Sequence, residues 1–403
     1  MKIKISIQHI ISLVILLISF DIPYISQVAP ASLNILFYLR ITAIISLVIW
    51  SIVTQKKMVS GFYCLFILLI CWILFVTYKN GFTVNSFLKL LSSPLLLCTY
   101  IETNRNSKSI LYFLECARLI LFTLISIDIL SMLVYPSGLY STQAYSTNWF
   151  LGYKTQRFPF YLFYIVSSSI LNYFKKDRIS LFSITFYAFM IFGMLRSEAT
   201  MSVAMLLFVI MMSWFATIAK NRKYVNRIFS FFSNSMILVT VYALLSYLVL
   251  ILNTSSFVQS IIVNIFHKSA TLSTRTVLWK RILYLYKDQF LQGVGYIDVE
   301  NFTKKFESIF YTNAHNLSLT ILLTGGIVLV ILYIIIHSWA IKDIALQRDK
   351  TYANIYIVAI VSMLLVGLTS SALFFCFCDF IFYFLLRTDI SKLDRGTNEK
   401  SIF

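Results

Sequence analysis

The chain has 403 residues, 59% of them hydrophobic and only 12% charged, and its mean hydropathy of +0.82 excludes an ordinary soluble globule, whose apolar share is nearer half. This is the composition of an integral membrane protein, and its spans must be helices because lipid forces each segment to satisfy its own backbone N–H and C=O groups. The formal net charge of +18 does not indicate nucleic acid, since the cations are spread among short loops as membrane anchors and do not form one folded stripe.

In chain order, apolar runs long enough to cross the hydrocarbon layer fall at residues 5–24, 32–53, 59–78, 82–101, 109–134, 158–174, 179–195, 199–219, 228–252, 316–340, 352–369 and 372–387. The expected fold is therefore an all-α polytopic membrane protein of about twelve transmembrane helices. Gly367-Leu368-Thr369-Ser370-Ser371 reads as a tight reversal between the last two runs, with a re-entrant hairpin as the alternative. The first run has no small-x-small cleavage site and ends at Asp21-Ile22-Pro23, so it reads as an uncleaved helix. Cys64, Cys71, Cys98, Cys116, Cys376 and Cys378 all lie in these runs, and no disulfide framework or zinc site follows from them.

Orientation follows from the cations, which are retained on the cytoplasmic side. With the N-terminus inside, the inner segments hold Lys2 and Lys4, Lys56 and Lys57, Arg105 and Lys108, Lys175 to Arg178, Lys220 to Arg227, Lys342 to Lys350, and the tail after Arg387. The organisation expected is nine helices over 1–252 with an outer loop at 135–157, a large outer loop over 253–315, helices ten to twelve over 316–388, and a cytoplasmic tail at 389–403.

Arg40, Lys89, Arg118 and Asp128 fall inside spans, where an unpaired charge costs several kcal/mol, so each must face a partner, a wet cavity or the bundle interior. Glu115 and Arg118 are three residues apart and able to neutralise each other on one helical face. Alternatively Arg40, Lys89 and Arg118 line a cavity for an anionic ligand, a role suited to guanidinium groups that bind phosphate bidentately.

The two long outer segments carry the remaining chemistry. Residues 135–157 offer Tyr140, Gln143, Tyr145, Asn148, Trp149, Tyr153, Lys154 and Arg157, a mix suited either to stacking on sugars or to anchoring at the interface. In the second segment, Val277, Leu278, Ile282, Leu285 and Tyr286 recur at helical spacing, with Trp279 and Leu283 broadening the face. The pattern predicts an interfacial helix near 274–289 with Arg275 in its first turn, stopped by Gly293-Val294-Gly295 acting as a turn. His315 stands just before a hydrophobic run, where Asn313 or Asn316 caps the helix and the helix dipole disfavours imidazole protonation. A neutral imidazole is the form that acts as a base.

The ordered set Ser273-Thr274-Arg275, Trp279, Gly293-Val294-Gly295, Ala314-His315-Asn316 and Gly325-Gly326 resembles the O-antigen polymerase and O-antigen ligase superfamily of bacterial envelope glycosyltransferases. The resemblance implies a GT-C-like, metal-independent helical enzyme at the outer face of the cytoplasmic membrane. It takes a glycan on undecaprenyl pyrophosphate as donor and another lipid-linked glycan as acceptor. Arg275 and His315 match the family's essential arginine and histidine, whereas its usual Ser-Arg pair is replaced here by Arg196-Ser197-Glu198. On this reading Arg275 and His315 are catalytic, and Arg196, Arg157, Lys154, Arg118, Lys89, Arg40, Trp279 and Asn316 bind substrate. Asp298-Val299-Glu300 is an acidic triplet of a common kind, and no metal or cofactor is expected. The expected partners are the lipid-linked glycans, membrane lipid, and a chain-length regulator and flippase of the same pathway, with no nucleic acid. Polymerisation of repeat units for O-antigen, capsule or exopolysaccharide is the first reading, ligation onto a lipid acceptor the second. Flipping of the lipid-linked glycan is the third, and the lack of two related halves speaks against it.

Overall fold

The computed structural model describes residues 6–55, 59–105, 107–142, 147–175, 181–218, 223–251, 264, 275–306, 313–343, 350–370 and 380–388. Ser273 and Thr274 of the motif, Gln143 and Tyr145, Cys376 and Cys378, most of 253–274, the start of the last expected span, the tail and several loop cations, Lys56, Lys57 and Arg178 among them, lie outside the described residues.

The described chain is helical: α1 Ile7–Ser19, α2 Pro23–Val28, α3 Ala31–Gln55, α4 Gly61–Lys79, α5 Val84–Thr103, α6 Ser107–Val134, α7 Phe158–Lys175, α8 Leu181–Arg196, α9 Thr200–Ile218, α10 Lys223–Phe232, α11 Ser235–Ile251, α12 Arg275–Tyr286, α13 Val299–Phe306, α14 Leu317–Lys342, α15 Lys350–Gly367 and α16 Ile381–Leu386. Among the described residues, seven of these helices are long and apolar enough to cross a membrane, and four shorter apolar ones accompany them. The expectation differs at 228–252, where the chain breaks at Ser233-Asn234 into the amphipathic α10 and the apolar α11. Asn234 accepts from the N–H groups of Met236 and Ile237, so a local side-chain cap restarts the helix there.

The centre of the bundle is α15, buried along nearly its whole length. It is apolar on every face because α7, α9, α14 and α16 pack around it. Its C-terminal end carries the free carbonyls of Leu368 and Thr369 to the end of the bundle where the long loops gather.

Two charges inside the bundle have structural work. Arg40 of α3 reaches the broken end of α1, donating to the Ile18 carbonyl at 2.6 Å and to both Asp21 oxygens at 3.1 and 2.6 Å. Ser93 donates to the neighbouring Ser19 carbonyl. A cation at a helix C-terminus satisfies orphan carbonyls and matches the helix dipole. Glu115 faces His9 of α1 at 3.4 Å, a contact between helices that the sequence did not suggest. Arg118 lies within electrostatic reach of Tyr164 and Tyr187, and Lys89 is half-buried on α5.

Residues 275–306 form a small body with its own apolar core. Leu278, Trp279, Ile282, Tyr286, Val294, Phe302 and Phe306 pack on Ala314, Leu319 and Leu323 at the start of α14. The buried face of α12 is narrower than its sequence suggests, because Val277 and Leu285 point outward. The joint beneath this body explains both glycine motifs. At Gly326 (φ 65°, ψ −162°) α14 leaves helical geometry, and residues 290–295 lie along the break. The N–H groups of Val294 and Gly295 donate to the freed carbonyls of Leu323 and Thr324 at 2.8 and 2.9 Å, and Ile327 N–H donates to the Phe290 carbonyl at 2.8 Å. A Cβ on Gly293 would meet Gly326 N at 2.6 Å, and one on Gly326 would meet Leu291 O at 2.5 Å. Gly293 and the Gly325-Gly326 pair are therefore the two sides of one backbone-to-backbone contact, while Gly295 lies against α4, where a Cβ would meet Thr77 Cα at 2.4 Å. The joint restores the hydrogen bonds that a broken helix in lipid must recover.

Candidate active site

Three chain segments pin the backbone around His315. Trp279, buried on α12, donates its indole N–H to the Ala314 carbonyl at 2.8 Å. The Asn313 side chain accepts from His315 N–H at 2.9 Å. Asn316 caps α14 by accepting from Leu319 N–H at 2.9 Å, and donates its own amide N–H to the Leu368 carbonyl at 2.9 Å. Trp279 and Asn316, expected among the substrate-binding residues, thus spend their polar groups on holding the histidine's neighbours. Gly367 is small for the same purpose, since a Cβ there would meet Leu317 Cβ at 2.9 Å.

So held, His315 adopts φ 49°, a left-handed conformation that an L-residue with a ring rarely takes. Such strain persists only where the surroundings over-determine it, and it clusters at functional sites. Burial, followed by the Arg275 guanidinium nearby, pushes the His315 imidazole down to about 3. The sequence ascribed its neutrality to the helix dipole; the larger causes are desolvation and a neighbouring cation.

Arg275 is the first residue of α12 and donates from Nη1 to the Thr369 carbonyl at 2.9 Å. Two consecutive carbonyls at the end of α15 thus receive Asn316 and Arg275, which fixes the catalytic candidates to the central helix. The same guanidinium acts on Tyr153 of the 135–157 loop, whose hydroxyl is raised first by burial, with Arg275 opposing and the Glu198 carboxylate reinforcing the shift. Lys154 lies over the Tyr153 ring, 5.4 Å from its centroid. Arg275 thus lies within electrostatic reach of His315 and of Tyr153, and Tyr153 within reach of Glu198, which relates both long loops and the α8–α9 turn.

Arg157 takes a different place from the one the sequence suggested. It is fully buried, pairs with Asp128 of α6 at 3.4 Å, stacks on Trp149 at 4.5 Å, and donates to the Gly152 carbonyl at 3.3 Å. Asp128 also accepts from Leu151 N–H at 2.8 Å and from the Tyr161 hydroxyl at 3.2 Å. This network folds the loop that presents Tyr153 and Lys154. Arg196 is exposed at the end of α8. Arg40 is committed to α1 and Asp21, remote in its bonding from this centre. Asp298 caps α13 through Asn301, and Glu300 pairs with Lys304 at 2.6 Å, so the acidic triplet is absorbed locally.

Sequence reasoning missed three contributors. Thr369 acts through a backbone carbonyl, which no residue pattern encodes. Glu198 stood only as a departure from a family pair. Tyr153 was one of several aromatics, and only its folded position singles it out.

These features define a multi-pass helical membrane protein with a polar, cationic centre built at one end of the bundle. A family model described as O-antigen ligase matches residues 184–334, a region running from α8 into α14 that contains Glu198, Arg275 and His315, and this supports the resemblance to the O-antigen polymerase and ligase superfamily. That superfamily consists generally of glycosyltransferase-like membrane enzymes of polysaccharide synthesis. No curated protein and no solved structure matches the chain.

Proposed function

We propose that this protein polymerises undecaprenyl-pyrophosphate-linked oligosaccharide repeat units at the outer face of the bacterial cytoplasmic membrane, without a metal. The observation that carries the proposal is the meeting of Arg275 with a strained, neutral His315, with Tyr153 of the other long loop within electrostatic reach. The orientation rests on the placement of cations, which puts this end of the bundle outside.

In the reaction an acceptor hydroxyl oxygen bonds to the anomeric carbon of the donor glycan. The bond from that carbon to the pyrophosphate oxygen breaks, and its electron pair leaves on the diphosphate. Arg275 offsets that charge with N–H donors held in place beforehand. Lys154 over the Tyr153 ring adds positive field beside it, and Arg196 at the exposed end of α8 is the candidate for a further cation. His315, beside Arg275, either accepts the hydroxyl proton or orients the diphosphate. A positioned proton acceptor contributes roughly a hundred- to ten-thousand-fold.

The matched model's description as O-antigen ligase favours ligation onto a lipid acceptor as the second reading. Deleting the gene separates the two. Loss of long chains with single units still displayed supports the polymerase, and loss of all attachment supports the ligase. Purified protein should also extend the lipid-linked repeat unit extracted from deletion-strain membranes, giving a ladder of lengths. Full ladder formation by His315→Ala would remove His315 from the chemistry.

A further inference from the structure

The helix α12 is apolar on two opposite faces. Leu278, Trp279, Ile282 and Tyr286 enter the core of the 275–306 body, so most of the residues from which the sequence predicted an interfacial face are covered by protein. On the other side Val277, Lys280 and Tyr284 follow at helical spacing, and the exposed row continues through the 3-10 turn Lys287–Gln289 to Leu291. The apolar members of this row are strongly exposed: Val277 at 62%, Tyr284 at 73% and Leu291 at 70%. Single exposed apolar residues are ordinary, but a row of three with lysines between them marks a contact surface.

One end of the row lies where the bundle meets lipid. The Phe290 carbonyl accepts from Ile327 N–H at 2.8 Å and the Leu291 carbonyl from Val328 N–H at 3.4 Å, so this end is seated on α14. Ile327 and Ile331 of α14 face outward there, in a helix long and apolar enough to cross the bilayer. On the other flank Lys79, in the last turn of α4, donates to the Gln292 side chain at 2.8 Å. The row therefore continues the lipid-facing surface of α14 and runs from it back to Arg275, the first residue of α12.

Charge selects the occupant. Between Thr276 and Leu291 the chain carries Lys280, Arg281 and Lys287 against the single carboxylate of Asp288. The Lys287 ammonium lies over the Tyr284 ring, 5.8 Å from its centroid. Lysines interleaved with an aromatic and two aliphatic side chains suit a phospholipid boundary, where apolar groups enter the acyl edge and ammonium groups meet phosphates.

We propose that this row binds the phospholipid surface of the outer leaflet, with Lys280 and Lys287 on anionic headgroups and Tyr284 and Leu291 in the acyl boundary. The contact holds α12 at headgroup level, and Arg275 with it. A lipid-linked diphosphate travels at that level, so the consequence for Arg275 rests on the transferase reading above, whereas the lipid contact does not.

The test uses the full chain in lipid nanodiscs, with a fluorescent coumarin amino acid placed at Tyr284 or, separately, at Leu291 by codon suppression. Each protein is first shown to melt as wild type does, and the second site serves if labelling the first disturbs the fold. Nitroxide-bearing lipid should quench both labels more strongly than aqueous iodide does. Nitroxide on phosphatidylglycerol should quench more than nitroxide on phosphatidylcholine at equal mole fraction. The double variant Lys280→Gln, Lys287→Gln should weaken that preference by about fivefold for each lysine, the value of one cation at an anionic surface. Strong iodide quenching without nitroxide quenching would place the row in water and overturn the proposal. Labels shielded from both quenchers would overturn it in favour of a protein partner or a second copy of the chain. A preference for phosphatidylglycerol untouched by the double variant would overturn the assignment of the lysines. These readouts need no turnover: if the transferase reading fails, the wild-type protein makes no ladder while quenching by lipid persists.

Discussion

Two arginine centres near the same end of the bundle, a fully buried one at Arg157 and a half-buried one at Arg275, differ in what faces the charge. Arg157 meets a carboxylate, an indole and a carbonyl in a fully buried network, so its charge is consumed in closing the 135–157 loop. Arg275 is bonded to the Thr369 carbonyl, a neutral group, and its field still reaches His315 and Tyr153. A carbonyl fixes a guanidinium in place without itself supplying a countercharge, whereas a carboxylate neutralises the cation that it holds.

The largest expected break in this comparison is Arg275→Lys. A lysine loses the planar fork that bonds carbonyl and phosphate together, and product formation in the lipid-linked assay should drop about a hundredfold or more, as when a preorganised electrostatic donor is lost. Its melting temperature should stay near wild type. Arg157→Ala should do the reverse. Leaving Asp128 buried and unpaired costs roughly 3–5 kcal/mol, which thermal melting will register as a large drop, and much of that loss should return in the Arg157→Met, Asp128→Leu double variant. Third is Gly326→Ala, where the added methyl overlaps the Leu291 carbonyl and Gly293 N. Limited proteolysis should then cut within 289–296 faster than in wild type. Asn316→Ala should be milder, since losing the cap costs about 1 kcal/mol. Here activity should fall more than stability, because His315 loses the anchor that fixes its place beside Arg275.

The last test is one of pH, and its size grows with the distance below 6.5 at which it is read. The folded state keeps His315 neutral down to about 3, against an ordinary 6.5, so below 6.5 the unfolded chain binds a proton that the folded one refuses. Stability contributed by this residue is present above pH 6.5 and is lost as pH falls towards 3. The melting temperature of His315→Asn should fall less steeply than wild type over that interval. An equal slope would show that the imidazole is not held neutral.

Much of the fold was legible in the sequence because lipid permits few solutions. Apolar run length predicted a polytopic helical bundle, of which seven helices among the described residues are long and apolar enough to cross a membrane, and the expected α12 with Arg275 in its first turn is present. Two local errors have local causes. The run at 228–252 hides Asn234, whose side chain restarts a helix, and the stripe on α12 counted Val277 and Leu285 as core although they point outward. The charges in spans were visible as anomalies, but their partners were not. Asp21 and the Ile18 carbonyl for Arg40, and His9 for Glu115, belong to other helices.

By itself, the sequence determined a helical membrane protein, the positions of its long loops, and the candidates Arg275 and His315 within an ordered motif. Those properties follow from hydrophobic length, charge placement and residue type, all local to the chain. Only the tertiary structure decided that Arg157 pairs with a carboxylate, that Gly293 and Gly326 face each other across a helix break, and that Glu198 lies within electrostatic reach of Tyr153. Each of these depends on backbone groups or side chains distant in sequence, and a carbonyl such as that of Thr369 acquires its role from where the fold places it.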